Sequence, residues 1–461
     1  MSAKKIIFLE FNELCPALLE QWMSQGKLPN FKKFFDASEI YITESDEKDA
    51  PCLEPWIQWY SMHTGLPFER HRVFHLTDGP KADHPDVWRL LLANGKTVGN
   101  FSSMNARGFE AEGSFFLPDP WCTTEKASPS DLQIFHNVVA HQVQQYSNTD
   151  QPLSRQEYLR FLAFLVSHGF RIKTAASILR QLIRDRMDKE ESWRRAVLLD
   201  QLQFDLFRHY FKKYRPDFST FFLNSTAHYQ HSYWRHMQPE AFSVQPDEKE
   251  RQRYGGAILF GYQSMDRLLG DFFRLSSDDT MLILGTAISQ QAFLKREKSG
   301  GQHFYRPRNF EAMLNNMGIH AGEVLPVMTH QFVLSFSSDR EAQTAKTKLE
   351  AVTCQGIPVF DFAESNPGTL YLGCQIYSSL DSNANLVMGD GSSVPFFDHF
   401  YSLGALKSGC HHPDGVLWIK SGRHQVHSEK ISILDVLPML LRHFGVAEQH
   451  ARVAQATGSA L

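Results

Sequence analysis

The feature that most constrains this chain is an apolar run that starts five residues in and stops abruptly at polar ones. Ile6-Ile7-Phe8-Leu9 is bounded by Lys5 on one side and by Glu10-Phe11-Asn12-Glu13 on the other. A short continuous apolar run of this kind describes a strand buried on both faces, as strands inside parallel sheets are. A helical pattern follows directly, Pro16-Ala17-Leu18-Leu19-Glu20-Gln21-Trp22-Met23. Strand followed by helix predicts an α/β fold with a mostly parallel central sheet flanked by helices. In open sheets of this type the chemistry lies beyond the carboxyl ends of the strands. The polar residues after Leu9 therefore stand where a site is expected.

The same texture recurs along the chain. Lys96-Thr97-Val98-Gly99-Asn100-Phe101 reads as a strand after a helix built on Val87-Trp88-Arg89-Leu90-Leu91. Phe218–Leu223 and Thr280–Leu284 read as further buried strands, with a helix around Ile258–Phe273 between them. From about 153 to 214, apolar residues return at three- and four-residue spacing (Phe161, Phe164, Leu165; Ile178, Leu179, Leu182, Ile183) between Arg- and Lys-rich faces. That spacing predicts an amphipathic helical lid packed on the core. Residues 320–395 are rich in strand and turn signals and read as a small α/β cap. The expected organisation is one α/β domain over 1–450 with core segments 1–150, 215–320 and 395–450, a helical insertion at 151–214 and the cap at 320–395.

With 461 residues, 42% hydrophobic and 21% charged, the chain can bury a large core and has an ordinary globular composition. A net charge of -4, with no basic stripe interleaved with aromatics, argues against nucleic acid as a partner. No apolar run approaches the ~18 residues of a membrane span, so no membrane partner is expected. The opening apolar run is too short for a signal-peptide core and is interrupted by Glu10. Cys15, Cys52, Cys122, Cys354, Cys374 and Cys410 form no C-x-x-C pair. They are expected as free thiols, and the expected location is the cytoplasm.

Three further segments carry a resemblance. Gly26-Lys27-Leu28-Pro29-Asn30-Phe31 follows the first helix. Gly409-Cys410-His411-His412-Pro413-Asp414-Gly415-Val416-Leu417-Trp418-Ile419 lies near the far end. Ile431-Ser432-Ile433-Leu434-Asp435-Val436-Leu437-Pro438 follows, closing on Phe444-Gly445. Read with the first strand, they resemble the alkaline-phosphatase superfamily, in particular its type I phosphodiesterase/nucleotide pyrophosphatase branch. The resemblance covers roughly 1–110, 215–320 and 395–445. It implies an alkaline-phosphatase-like core, a two-metal site at the strand ends and phosphoester chemistry.

Carried over residue by residue, most of that site is replaced. The metal-binding aspartate at the first strand end is Asn12, which brings no charge; Glu10, on the same face of an extended strand, is a candidate substitute. The helix after the nucleophile is matched by Thr64-Gly65-Leu66-Pro67 with His71 beyond, but the nucleophile position falls among residues 52–55. Only Cys52 and Glu54 have suitable chemistry there. The Asp-x-x-x-His pair is Ala227 and His231, with His228 one helical turn earlier. The Asp-His pair after the fourth strand is Ala287 and Ile288. The last histidine is His411, with His412 beside it.

A site so depleted cannot build the paired cations of two-metal phosphoryl transfer. The expectation is a single divalent ion (zinc, manganese or iron) held by His228, His231 and His411, with Asn12 and His412 as further candidates, or a metal-free site. Glu54, Glu10 and Cys52 are the candidate catalytic groups. The expected function is a divergent phosphodiesterase- or phosphatase-like hydrolase or transferase. Its substrate would be a phosphorylated or similarly activated small molecule or glycan. The alternative is a non-catalytic binding or scaffold protein on the same fold, which the losses at 12, 227, 287 and 288 favour.

Overall fold

The computed structural model of the chain describes residues 4–122, 124–144, 153–296, 302–327, 330–363, 365–403 and 406–446. Its main sheet is built from β1 (Lys5–Phe11), β2 (Ser38–Glu44), β3 (Val98–Phe101), β4 (Phe115–Leu117), β5 (Phe218–Leu223) and β6 (Thr280–Thr286). A separate two-stranded ribbon joins β7 (Ser289–Ala292) to β8 (Gly409–His412), and the chain then returns to the main sheet as β9 (Asp414–Lys420). The order across the main sheet is β2-β9-β6-β1-β5-β3-β4, with the short strands Gln425–Val426 and Ile431–Ser432 beside β2. β1 lies at the centre, parallel to β5 and to β6, and β9 runs antiparallel between β6 and β2. The expected mostly parallel sheet flanked by helices is what the chain forms.

The alternation of β1 explains the two layers. Ile7, Leu9 and Phe11 enter one apolar cluster, while Ile6 and Phe8 enter the other. The first layer is covered by α1 (Pro16–Ser24) and the second by α2 (Pro55–Thr64). Residues 155–214 contribute α3 (Arg155–Ser167), α4 (Ile172–Met187) and α5 (Ala196–Tyr214). α6 (Ser225–Met237) and α7 (Ala257–Leu275) complete the first layer, and α8 (Val436–His443) lies in the second. Each fully buried Phe or Leu in these layers contributes roughly 1.5–3 kcal/mol by leaving water. Trp22 of α1 meets Tyr262 of α7 edge-on at 4.8 Å, which ties the first helix to the last of its layer.

The strand-rich region forms its own unit. Phe360–Ala363, Thr369–Cys374, Gln331–Ser335 and Glu323–Pro326 make an antiparallel sheet in that order, and a second small sheet lies beside it. Their apolar cluster extends from Tyr305 to Phe400. Among the described residues no helix is long and apolar enough to cross a membrane.

Candidate metal centre

The site begins where β1 ends. The Asn12 N–H still donates to the Leu223 carbonyl at 2.9 Å, completing the ladder with β5. Glu13 then takes φ 61, a left-handed conformation that a non-glycine residue adopts at a cost. Three partners hold it there. Its N–H donates to Thr286 Oγ1 at 2.9 Å, its carbonyl accepts from Gln230 Nε2 at 2.7 Å, and Asn12 Nδ2 donates to its Oε1 at 3.0 Å. On a continuing strand Asn12 and Glu13 would face opposite sides; the turn brings their side chains together.

Two histidines complete the arrangement. His231 comes from α6 and His411 from β8, and their rings stand edge-on with centroids 5.1 Å apart. His231 Nε2 is 3.3 Å from Glu13 Oε2, and His411 Nε2 is 3.7 Å from Glu13 Oε1. The three ligand atoms all lie within 4.8 Å of one another, and this is the one such group of three among the described residues. Each ring is oriented from behind. His231 Nδ1 bonds the Gly409 carbonyl at 3.1 Å and His411 Nδ1 bonds the Leu53 carbonyl at 2.8 Å. A carbonyl oxygen only accepts, so both Nδ1 atoms carry a proton and both Nε2 atoms face the Glu13 carboxylate, where each either carries a second proton or offers a lone pair. A carboxylate facing two ring nitrogens calls for positive charge between them, as protons on the rings or as a metal cation. A ring N–H donated to a backbone carbonyl is also the usual support behind a metal-binding histidine.

The protonation states agree with this reading. Burial works to raise the Glu13 carboxyl, but the neighbouring His411 and His231 and the bonds from His231 and Gln290 outweigh it, holding it at about 2. Burial lowers the His411 imidazole to about 4, against the attraction of Glu13, so the ring is neutral at pH 7. An ionised carboxylate and a neutral imidazole are the forms that bind metal. Two histidines and one carboxylate suit zinc, and also suit iron in a mononuclear site.

Glu54 stands beside this group. It occupies the N-cap position of α2, and its Oε2 is 3.5 Å from His411 Nδ1. Burial raises its carboxyl to about 8, with Glu13 adding to the effect and the Lys407 ammonium opposing it. Burial thus biases Glu54 toward its protonated form. Lys407 acts electrostatically on His411 as well, and so supplies positive charge to the same cleft. From the cap, Tyr371 stacks on His75 at 4.7 Å and lies within the electrostatic reach of Glu54.

The remaining candidates from the sequence are placed elsewhere. Asn12 is fully buried and its amide is spent on Glu13, on Asn224 Oδ1 at 2.8 Å and on Trp59 Nε1 at 2.8 Å, which donates to its oxygen. Glu10 pairs with His63 Nε2 at 2.8 Å, with no contact to His231 or His411. Cys52 is half-buried before α2, and burial with nearby Glu47 and Glu54 pushes its thiol up, away from the reactive thiolate. His228 lies one turn before His231, exposed and outside the three-residue group. His412 accepts the Asp414 N–H on its Nδ1 at 3.1 Å and points to the other face of β8. Ala287 and Ile288 are both fully buried in the core.

Sequence reasoning passed over Glu13 and the two amides behind it. Gln290 Nε2 donates to Glu13 Oε2 and to the Ala227 carbonyl, the latter at 3.1 Å. Through Gln290 the Glu13 carboxylate is thus braced against the backbone of Ala227. Glu13 is adjacent to the strand end and acidic, which is a signal, but its left-handed turn has none in the sequence.

No family model matches the sequence, and no curated protein matches it. Among solved structures, the chain is similar to the wild-type alkaline phosphatase PafA, with 13% identity and a TM-score of 0.47 over 97% of this chain and 96% of that one. It is similar to the phosphonoacetate hydrolase of Sinorhizobium meliloti 1021 bound to phosphonoformate, with 11% identity and a TM-score of 0.42 over 96% of each chain. It is also similar to murine ectonucleotide pyrophosphatase/phosphodiesterase 5, with 10% identity and a TM-score of 0.40 over 96% of this chain and 95% of that one.

Proposed function

We infer that this protein is a hydrolase or transferase of phosphoesters or related activated esters, working through one divalent ion held by Glu13, His231 and His411. The observation that carries the reading is that the ligand atoms of Glu13, His231 and His411 lie within 4.8 Å of one another, each imidazole turned with its Nε2 inward by a bond from Nδ1 to a backbone carbonyl. A divalent ion bound there supplies Lewis acidity toward a phosphoryl or similar oxygen. The chain's own residues supply the rest. Glu54, beside His411 and biased by burial toward its protonated form, is placed to give a proton to a leaving oxygen and to take one from attacking water afterwards. Lys407 brings the positive charge that an anionic ester needs on entering the cleft. The cap, through Tyr371, borders Glu54 and is the element best placed to select the substrate, a small molecule or a glycan.

The test is elemental analysis of the purified protein, then turnover of p-nitrophenyl phosphate and its bis ester. The expected result is about one equivalent of zinc, manganese or iron, lost in a Glu13→Gln/His231→Ala variant. Glu54→Gln is expected to keep the metal and lose about 10²-fold or more in turnover. Absence of metal from protein expressed and purified with each of the three ions sinks the reading. A second reading, a ligand-binding protein without catalysis, is favoured by the burial of Ala287 and Ile288 where a second ion's ligands would stand. One bound ion with no turnover on any ester tested supports it.

A further inference from the structure

α4 is inside out. Its buried positions are Thr174 and Gln181, while Ile172, Leu179, Leu182, Ile183 and Met187 stand in solvent. Ile172 is 90% exposed and Met187 83%. α3 buries Phe164 and Leu165 but presents Tyr158, Leu159, Leu162 and Val166 outward, with Leu159 and Val166 each 66% exposed. A water-facing helix normally turns such a stripe inward. Exposed apolar surface on this scale marks a face that something else covers.

Charge identifies the occupant. The exposed Arg155 and Arg160 on α3 and Arg180, Arg184 and Arg186 on α4 make no ion pair among the described residues. Within α4, three arginines stand against the single acid Asp185, Lys173 being paired with Asp271, in a chain whose net charge is -4. Asp185 is already bonded to Arg195. A second copy of this face would set unpaired arginines against unpaired arginines, which is repulsive. An apolar stripe flanked by free arginines is the pattern of a helix lying in the headgroup region of an anionic bilayer. There the apolar side chains enter the acyl boundary, and the arginine stems reach back so that the guanidinium groups bond phosphate.

We propose that α3 and α4 dock this protein on the surface of a membrane containing anionic phospholipid, lying in the interface without crossing it. The docking face is separate from the metal centre and stands or falls independently of the proposed chemistry.

The test is flotation of the full chain with vesicles of phosphatidylcholine alone or with one quarter phosphatidylglycerol. Two variants accompany it: Ile172→Gln/Leu179→Gln/Ile183→Gln/Met187→Gln and Arg180→Gln/Arg184→Gln/Arg186→Gln. All seven positions are exposed, and glutamine keeps helix propensity, so both variants fold. The parent is expected to bind anionic vesicles at least about ten-fold more tightly than neutral ones, with binding weakened by salt. The apolar variant is expected to lose binding to both, and the arginine variant to lose the preference for anionic lipid. A parent that leaves anionic vesicles unbound, or an apolar variant that binds as the parent does, overturns the proposal. So does a dimer in sedimentation velocity that the apolar variant abolishes, which would assign the face to a second copy.

Discussion

Gly409→Ala separates a built metal centre from an accidental cluster of histidines. A Cβ at position 409 would lie 2.4 Å from the Gln230 carbonyl oxygen and 2.5 Å from Gln290 Oε1. Ordinary contact there needs a retreat of about 1 Å. The obstacle is the backbone of α6, which cannot rotate aside as a side chain can. β8 must therefore move, and both of its links to α6 pass through His231. The Ser408 N–H donates to the His231 carbonyl at 2.8 Å, and the Gly409 carbonyl accepts from His231 Nδ1 at 3.1 Å. A 1 Å shift breaks the second link and displaces His411, two residues on, by about twice the ~0.5 Å that a functional constellation tolerates. Removing such support costs a metal site about 10- to 100-fold in affinity, and overpacking costs about 1–3 kcal/mol in stability. The assay is competitive titration of zinc into metal-free protein, with urea unfolding alongside. Gly256→Ala is the control, since its Cβ meets nothing within 4 Å and its backbone, at φ -93, is ordinary. Gly409→Ala protein that binds zinc as tightly as the parent would refute the reasoning.

Two further outcomes are expected. His231→Ala/His411→Ala is expected to lose metal completely and to leave Glu13 as a buried carboxylate without a cation, detectable as a fall in stability of about 1–3 kcal/mol by urea unfolding; retention of a full equivalent would move the centre elsewhere. Asp200, buried against Ser225 Oγ, has its carboxyl raised by burial to about 7. The unfolded chain gives up this proton near pH 4 and the folded chain only near pH 7, so stability falls as pH rises through that window and is level above it. At about 1.4 kcal/mol per unit the loss approaches ~4 kcal/mol. Asp200→Asn is expected to match the parent near pH 4 and exceed it by a few kcal/mol at pH 8, and equal stability at pH 8 would refute the shift.

How far the sequence could be read follows from which signals are local. β1, β5 and β6 are short apolar runs with polar ends, and that pattern alone located three of the strands around the centre. His231 and His411 stand out because histidines beyond a strand, or before one, are conspicuous by type and spacing. Glu13 does not, because its role depends on a left-handed turn stabilised by Thr286 and Gln230, both more than two hundred residues away. Glu10 looked the better substitute on strand geometry, yet the face it shares with Asn12 leads to His63 and Trp59. Residues 155–214 show a similar limit. Their apolar periodicity marked Ile178, Leu179, Leu182 and Ile183 as one stripe, but periodicity does not say on which side of a helix the protein lies.

The amide at position 12 can be tested as a question of charge. Asn12 Nδ2 donates to Glu13 Oε1 at 3.0 Å and to Asn224 Oδ1 at 2.8 Å, and Asn12 Oδ1 accepts from Trp59. In Asn12→Asp both donated bonds become contacts between acceptors. One of them sets a second carboxylate against Glu13 in a site where both residues are at most 2% exposed. Two carboxylates at that distance share a proton unless metal charge separates them. A second ion would need further ligands, and among the described residues Glu13, His231 and His411 form the one group of three that could hold an ion. Asn12→Asp is therefore expected to bind no second equivalent, to bind the first more weakly at neutral pH, and to lose roughly 1–3 kcal/mol of stability through the donors removed from a buried site. Zinc titration and urea unfolding measure all three. Two equivalents bound, with a gain in ester hydrolysis, would show that a second metal position is present. One equivalent, bound more weakly, would show that Asn12 serves the single centre by keeping the Glu13 carboxylate in place.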